Sequence, residues 1–320
     1  MRIYFLCTDA TQPYGGVKKL YRHVDILNKN GLDAVIMHER PGFRCEWFAN
    51  ETPVTNAAEA RLGGDDFLVA PEIYGPKIAT LARGVRKVVY NQNCYYTFWN
   101  HSLAKDDMQT PYTDPEVVAT MVVSADSLDY LAYAFPRHKV LRIVHSIDST
   151  VFRPDGEKKP HIAFMPRKNI ADVTQVINIL KFRGALDGFG LAQIDGKSEA
   201  EVAAILRESA FFLSFGYPEG FSLPPAEAMA CGCVVLGFHG GGAREFMLPE
   251  CAYPIPQGDI SGFARTVEGV LGEYRRDPSS VLAKGKAAAE LIHSRYNEAN
   301  EERSVLEAWG DILKSAAGGA

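Results

Sequence analysis

Short β-branched and aromatic runs alternate with longer stretches of helical periodicity through most of this 320-residue chain, and that alternation is its strongest constraint on a fold. Strands that each hand over to a helix form a parallel sheet covered by helices, an α/β architecture. In the first half the pattern predicts strands over residues 3–7, 34–38, 67–70, 87–90, 119–124 and 140–144. Helices over 17–29, 75–82 and 127–134 lie between them. A second series begins near His161, with strands over 162–165, 192–194, 211–214 and 233–237. Its helices fall over 173–182, 199–209, 225–231 and 261–273. The tail over 290–316 is helical by periodicity, with Leu306, Trp309 and Leu313 on one stripe.

The two series are joined by the polar stretch 152–160, which contains Pro154 and Pro160 and has the composition of a linker. The chain therefore divides into a first domain over 1–152, a linker over 153–160 and a second domain over 161–299. A hydrophobic content of 47% is enough for two buried cores. The net charge of -5 excludes a general nucleic-acid binder, which needs a basic surface to neutralise phosphates. No apolar run reaches the roughly 18 residues of a spanning helix. The opening apolar run is too short for a secretion signal and is interrupted by Asp9, Gln12 and Pro13. The six cysteines form no C-x-x-C pair and no metal spacing with the eight histidines. They read as small buried hydrophobes in a reducing compartment, so a cytoplasmic location is expected. Peripheral contact with a membrane is left open.

The chemistry concentrates between Tyr217 and Gly232. Pro224 and Pro225 suit a helix start, and Ala226 through Cys231 are good helix formers stopped by Gly232. Glu219 and Gly220 then lie in the preceding loop, and Glu227 in the first helical turn. The free N–H groups of such a turn, with the positive end of the helix dipole, favour a bound anion such as phosphate. A carboxylate there can accept hydrogen bonds from hydroxyls. The combination suits a molecule carrying both a phosphate and sugar hydroxyls. By itself a first-turn Glu is as often only a dipole partner.

The whole string, with Glu219, Gly220, Phe221, Pro224, Glu227, Ala228, Met229, Ala230 and Gly232, resembles the E-x7-E signature of the retaining GT-B glycosyltransferases. Ser222 stands where that family usually has Gly, and Val234 where it usually has Pro. His145, Asp148, Phe152 and Pro154 are similar to the family's segment leaving the first domain, so the resemblance runs in order along most of the chain. It implies a GT-B fold: two Rossmann-like parallel-sheet domains facing a central cleft, with the C-terminal helix, about 300–320, crossing back to the first. It also implies transfer of a sugar from a nucleotide diphosphate-sugar to an acceptor hydroxyl with retention, in bacterial glycan or glycoconjugate synthesis. The acceptor would be a glycan, a lipid or a small molecule. Glu219 would contact the transferred sugar, Glu227 the ribose hydroxyls, and the backbone of Phe221, Ser222 and Leu223 the diphosphate, beside Gly220. Gly15 and Gly16, in a turn from strand to helix, look like the family's glycine loop on the opposite side of the donor.

Arg167 and Lys168 follow a predicted strand at the start of the second domain. The resemblance places cations there against the departing diphosphate, whose charge grows as the glycosidic bond breaks. The family's Lys lies five residues after its Arg; here that position is Asp172, and Lys168 is adjacent instead. Arg167 is the first choice and Lys168 the second. Two further stretches are open between readings. Gly240, Gly241, Gly242 and Glu245 are either a cleft-lining loop or a plain turn. The amide- and aromatic-rich stretch 91–99 is either an acceptor wall or a buried aromatic cluster. No Asp-x-Asp occurs, and the pairs Asp65–Asp66 and Asp106–Asp107 do not place two carboxylates on one face. No metal or other cofactor is therefore expected. The competing readings are a nucleotide-sugar epimerase of the same fold and a catalytically silent sugar-nucleotide-binding protein.

Overall fold

The computed structural model describes residues 1–99, 101, 103 and 109–317, so the Asp106–Asp107 pair lies outside the described residues. The chain forms two units, one of Met1–His145 with Glu301–Ala320 and one of Ser146–Asn300. In the first, β1 (Ile3–Leu6), β2 (Ala34–His38), β3 (Val54–Asn56), β4 (Phe67–Pro71), β5 (Arg86–Asn91), β6 (Val117–Val122) and β7 (Val140–Arg142) make one sheet. Its order is β3-β2-β1-β4-β5-β6-β7, and every pair is parallel. Helix α1 (Gly15–Lys29) buries Val17, Leu20, Tyr21, Val24 and Leu27, the three- and four-residue spacing of one helix face. Helix α2 (Ala125–Ala134) starts at Ser124, whose hydroxyl accepts from the Ser127 N–H at 3.1 Å.

Residues 75–82 do not form the predicted helix. A 3-10 run over Glu72–Thr80 takes its place, broken at Gly75 (φ 51°, ψ -137°) just before Pro76. A glycine with positive φ followed by a proline lacking an N–H cannot propagate α-helical bonding.

The second unit holds β8 (Lys159–Phe164), α3 (Ile170–Phe182), β9 (Gly190–Gln193), α4 (Glu199–Glu208), β10 (Ser209–Ser214) and α5 (Leu223–Ala230). It continues with β11 (Val234–Phe238), β12 (Ala252–Ile255), α6 (Ile260–Arg276) and α7 (Pro278–Arg295). The sheet runs β12-β11-β10-β8-β9, again wholly parallel. Phe211, Phe238, Phe263 and Val267 are fully buried in its core. Ser198 caps α4 with a reciprocal capping box to Glu201, as its position before that helix predicts. Lys159 and Pro160, expected in the linker, instead open β8: Lys159 already pairs with Ser209.

The tail is two helices, not one. Helix α7 ends at Arg295, and α8 (Glu298–Ala317) begins after Asn297, whose side chain accepts from the Asn300 N–H at 2.9 Å. Along α8 the buried stripe is Glu301, Val305, Ala308, Trp309 and Ile312, with Leu306 and Leu313 half-buried at its edge. Within the first unit, Glu301 takes Lys19 at 3.1 Å and Arg22 at 3.2 Å, and Trp309 donates to His23 at 2.8 Å. A buried carboxylate is tolerable when it is shared between two cations in this way. Among the described residues no helix is long and apolar enough to cross a membrane.

Candidate active site

In the second unit the chain builds β8 and β9 outward, then returns to the other side of β8 for β10, β11 and β12. Strand order reverses between β8 and β10, and in open parallel sheets the crevice beyond the carboxyl ends at such a point is where ligands bind. Arg167, Lys168 and Asn169 follow β8 there, and Glu219 and Gly220 follow β10. The Lys168 ammonium makes an ion pair with the Glu219 carboxylate. Topology thus brings together two candidates that are 51 residues apart in the chain. Arg167, the first choice from sequence, is exposed on the same loop. Among the described residues its guanidinium makes no ion pair.

Glu219 is held by its backbone as well. Its N–H donates to the Gly240 carbonyl at 2.7 Å, and its own carbonyl accepts from the Gly242 N–H at 2.9 Å. The glycine stretch is therefore not a plain turn: it pairs with Glu219 as a short parallel bridge. Only glycine allows that approach. A Cβ on Gly242 would lie 2.1 Å from the Gly220 carbonyl oxygen, and one on Gly240 2.8 Å from that of Gly216. Beyond the glycines, Glu245 accepts from the Tyr296 hydroxyl at 2.7 Å, and the Tyr296 ring packs on Phe221 and Phe246.

Helix α5 starts at Leu223, two residues before the predicted start, because Pro224 and Pro225 both fit its first turn. Two corrections follow. Glu227 becomes the fifth helical residue, half-buried in the second turn, so a dipole partnership in the first turn does not apply. The prolines also remove two N–H groups from that turn, leaving the amides of Ser222 and Leu223 as its donors. Ser222 is left-handed (φ 74°, ψ 72°), the conformation that glycine usually supplies.

The first sheet reverses order between β1 and β4, and Gly15 and Gly16 open α1 in the connection after β1. Gly16 is close-packed: its carbonyl accepts from Gln92 at 3.1 Å, and a Cβ would meet that side chain at 3.0 Å. Glu72, at the carboxyl end of β4, was not picked out from sequence. It is buried, and burial pushes its carboxyl up to about 7 against the opposing pull of the neighbouring Gln92 and Asn93 backbone. A lone Glu after a strand carries no signal of this in sequence. The stretch 91–99 divides between the two readings. Asn91, Asn93, Cys94 and Thr97 are buried, whereas Phe98 and Trp99 are exposed. Asp9, His38 and Tyr21 form a chain, His38 meeting Asp9 at 3.0 Å and Tyr21 at 2.7 Å. Asp9 is saturated by Arg40 and by the N–H groups of Glu39 and Arg40, so this chain ties β1 to β2.

Comparison with known proteins accords with this fold. Residues 181–273 match the model of the family described as glycosyl transferases group 1. An alpha-1,6-glucosyltransferase of Actinobacillus pleuropneumoniae serotype 7 (strain AP76) is 24% identical over 330 aligned positions, covering 98% of this chain and 96% of that protein. Sucrose-phosphate synthase from Thermosynechococcus elongatus superposes with a TM-score of 0.71 at 13% identity over 100% of both chains. HepE of Anabaena, solved in complex with UDP, gives 0.67 at 12% identity over 98% of this chain and 100% of its own. The architecture is the GT-B fold.

Proposed function

We propose that this glycosyltransferase of GT-B type moves a hexose from a nucleotide diphosphate-sugar to an acceptor hydroxyl with retention of anomeric configuration. The observation that carries the reading is the Lys168–Glu219 pair at the β8/β10 reversal, beside the α5 start. A cation and a carboxylate in that crevice match the two ends of such a donor. Lys168 and Arg167 face the diphosphate with the amides of Phe221, Ser222 and Leu223, and Glu219 takes the sugar hydroxyls. Glu227, one turn further along α5, takes the ribose. The sugar–oxygen bond to the diphosphate breaks with its electron pair staying on the phosphate, where the cations stabilise the growing charge. The acceptor oxygen bonds to the same carbon from the same face and passes its proton to the departing phosphate. No enzyme nucleophile and no metal are then needed.

The first donor to test is UDP-glucose. The relative named as an alpha-1,6-glucosyltransferase and the UDP complex of HepE support that choice. An α-linked product from an α-linked sugar nucleotide is retention. The relative is bacterial, which supports a place in bacterial glycan or glycoconjugate synthesis, and the buried thiols support a reducing, cytoplasmic setting. The deciding experiment incubates the protein with UDP-glucose and a panel of glucosides and other sugar acceptors. UDP release that requires an acceptor supports transfer. Conversion of the sugar nucleotide without UDP release marks an epimerase. Binding without either marks a silent binder.

A further inference from the structure

Asn169 stands between Lys168 and α3, yet its side chain caps nothing in that helix. Its backbone is left-handed (φ 56°, ψ 45°), a conformation that Asn tolerates better than most residues. From there its amide reaches across the β8/β10 junction and donates to the carbonyls of Phe215 at 2.7 Å and Tyr217 at 3.3 Å. Lys168 is the residue before Asn169, and Glu219 lies two residues after Tyr217. The two loops are therefore joined twice, once by the ion pair and once by this amide.

The two joins differ in what a ligand does to them. In the glycosyl-transfer reading a diphosphate draws on Lys168 and sugar hydroxyls draw on Glu219, so the ion pair would yield to a bound donor. The Asn169 bonds end on main-chain carbonyls and persist. Resting on the glycosyl-transfer reading, we propose that Asn169 is a positioning residue. It fixes the separation of Lys168 and Glu219 while each is engaged with its own end of the donor. Misplacing reacting groups by about 1 Å costs on the order of a hundredfold in rate, so the effect belongs in turnover more than in donor affinity.

The test uses Asn169→Gly, which keeps the left-handed backbone and removes the amide, and Asn169→Asp, which keeps the backbone and size but turns a carboxylate on two carbonyls. Acceptor-dependent UDP release from UDP-glucose is measured for both, with binding of UDP-glucose by calorimetry. The expected result is a fall in kcat of about tenfold or more in both variants, with KM for UDP-glucose within about threefold. Wild-type kcat in Asn169→Gly overturns the proposal, since the backbone turn alone would then suffice. A loss confined to KM overturns it too, because it marks a binding role. Wild-type protein that neither binds nor turns over any of a panel of UDP-, GDP- and ADP-sugars overturns the transfer reading itself, and this proposal with it.

Discussion

Lys168 and Glu219 close an ion pair over the β8/β10 junction, with their side chains 40% and 18% exposed. A pair this open to water contributes little stability; on the proposed reading it places two charges where a donor needs them. On that reading donor binding exchanges this one contact for two. Glu219→Ala is expected to lower turnover more than nucleotide affinity, since in the proposed mechanism Glu219 meets the sugar and its loss releases Lys168 to the diphosphate. Arg167→Ala and Lys168→Ala should each slow transfer by about two orders of magnitude, the scale for losing one preorganised charge-stabilising donor. Calorimetry for UDP and a product assay for transfer separate these effects. Full activity in all three variants would sink the assignment.

Glu227→Ala is expected to weaken nucleotide binding by roughly 1.5–3 kcal/mol, the scale of a hydrogen bond to a charged group. Its effect should be the same on UDP and on UDP-glucose, since the ribose is common to both. A loss seen only with UDP-glucose would move Glu227 from the ribose to the sugar.

Two single substitutions around α5 should act with opposite signs. Gly242→Ala places a Cβ 2.1 Å from the Gly220 carbonyl oxygen, so the bridge to Glu219 must open. Lower thermal stability and lost transfer are expected together. Ser222→Gly relieves a left-handed conformation that costs a non-glycine residue roughly 1–2 kcal/mol. Its unfolding midpoint should rise by a few degrees. A lower midpoint would show that the Ser222 side chain, which is buried, contributes more than the strain costs.

Glu72 supplies a pH test in the first unit. Burial raises its carboxyl to about 7 from the ordinary 4.5. Between those two values the folded protein holds a proton that the unfolded chain has released. This group's contribution is therefore greatest below about 4.5, falls as pH rises and levels off above 7. At about 1.4 kcal/mol per pKa unit, the whole loss is on the order of 3 kcal/mol. Glu72→Gln has no such titration, so its unfolding midpoint should gain on the wild type between pH 5 and pH 8. A difference that stays constant across that range would contradict the raised pKa.

The sequence made ten of the twelve described strands legible and hid two edge strands, β3 and β12. The three-residue β3 is half-buried at a sheet edge, and β12 carries Pro254, which is tolerated only because that strand too is an edge. The break between α7 and α8 contains neither Gly nor Pro. Its one local sign is Asn297, an Asn three residues before the N–H it caps. Glu219, Lys168 and Arg167 stood out by residue type and motif. That Lys168 meets Glu219 depends on β8 and β10 being neighbours, a fact of strand order that no local pattern carries. Asn169 was invisible for the same reason: its partners are main-chain carbonyls 46 and 48 residues away.

The last prediction concerns metal and stereochemistry. A divalent ion on a diphosphate needs oxygen ligands beside it, commonly one or two carboxylates. Among the described residues no group of three or more Asp, Glu, His or Cys side chains is placed to hold a metal ion, and Glu219 in the β8/β10 crevice is already paired with Lys168. In the first unit, Asp66 accepts from the N–H groups of Arg2 at 2.7 Å and Gly63 at 2.9 Å, so it closes a turn. Lys168, Arg167 and the α5 amides can supply the positive field that a metal otherwise would. Transfer from UDP-glucose is therefore expected to persist in excess EDTA and to yield an α-linked product. Activity lost to chelator and restored by Mn²⁺ would contradict metal independence. A β-linked product in the NMR spectrum would contradict retention, and would require a general base on the acceptor's side that this mechanism does without.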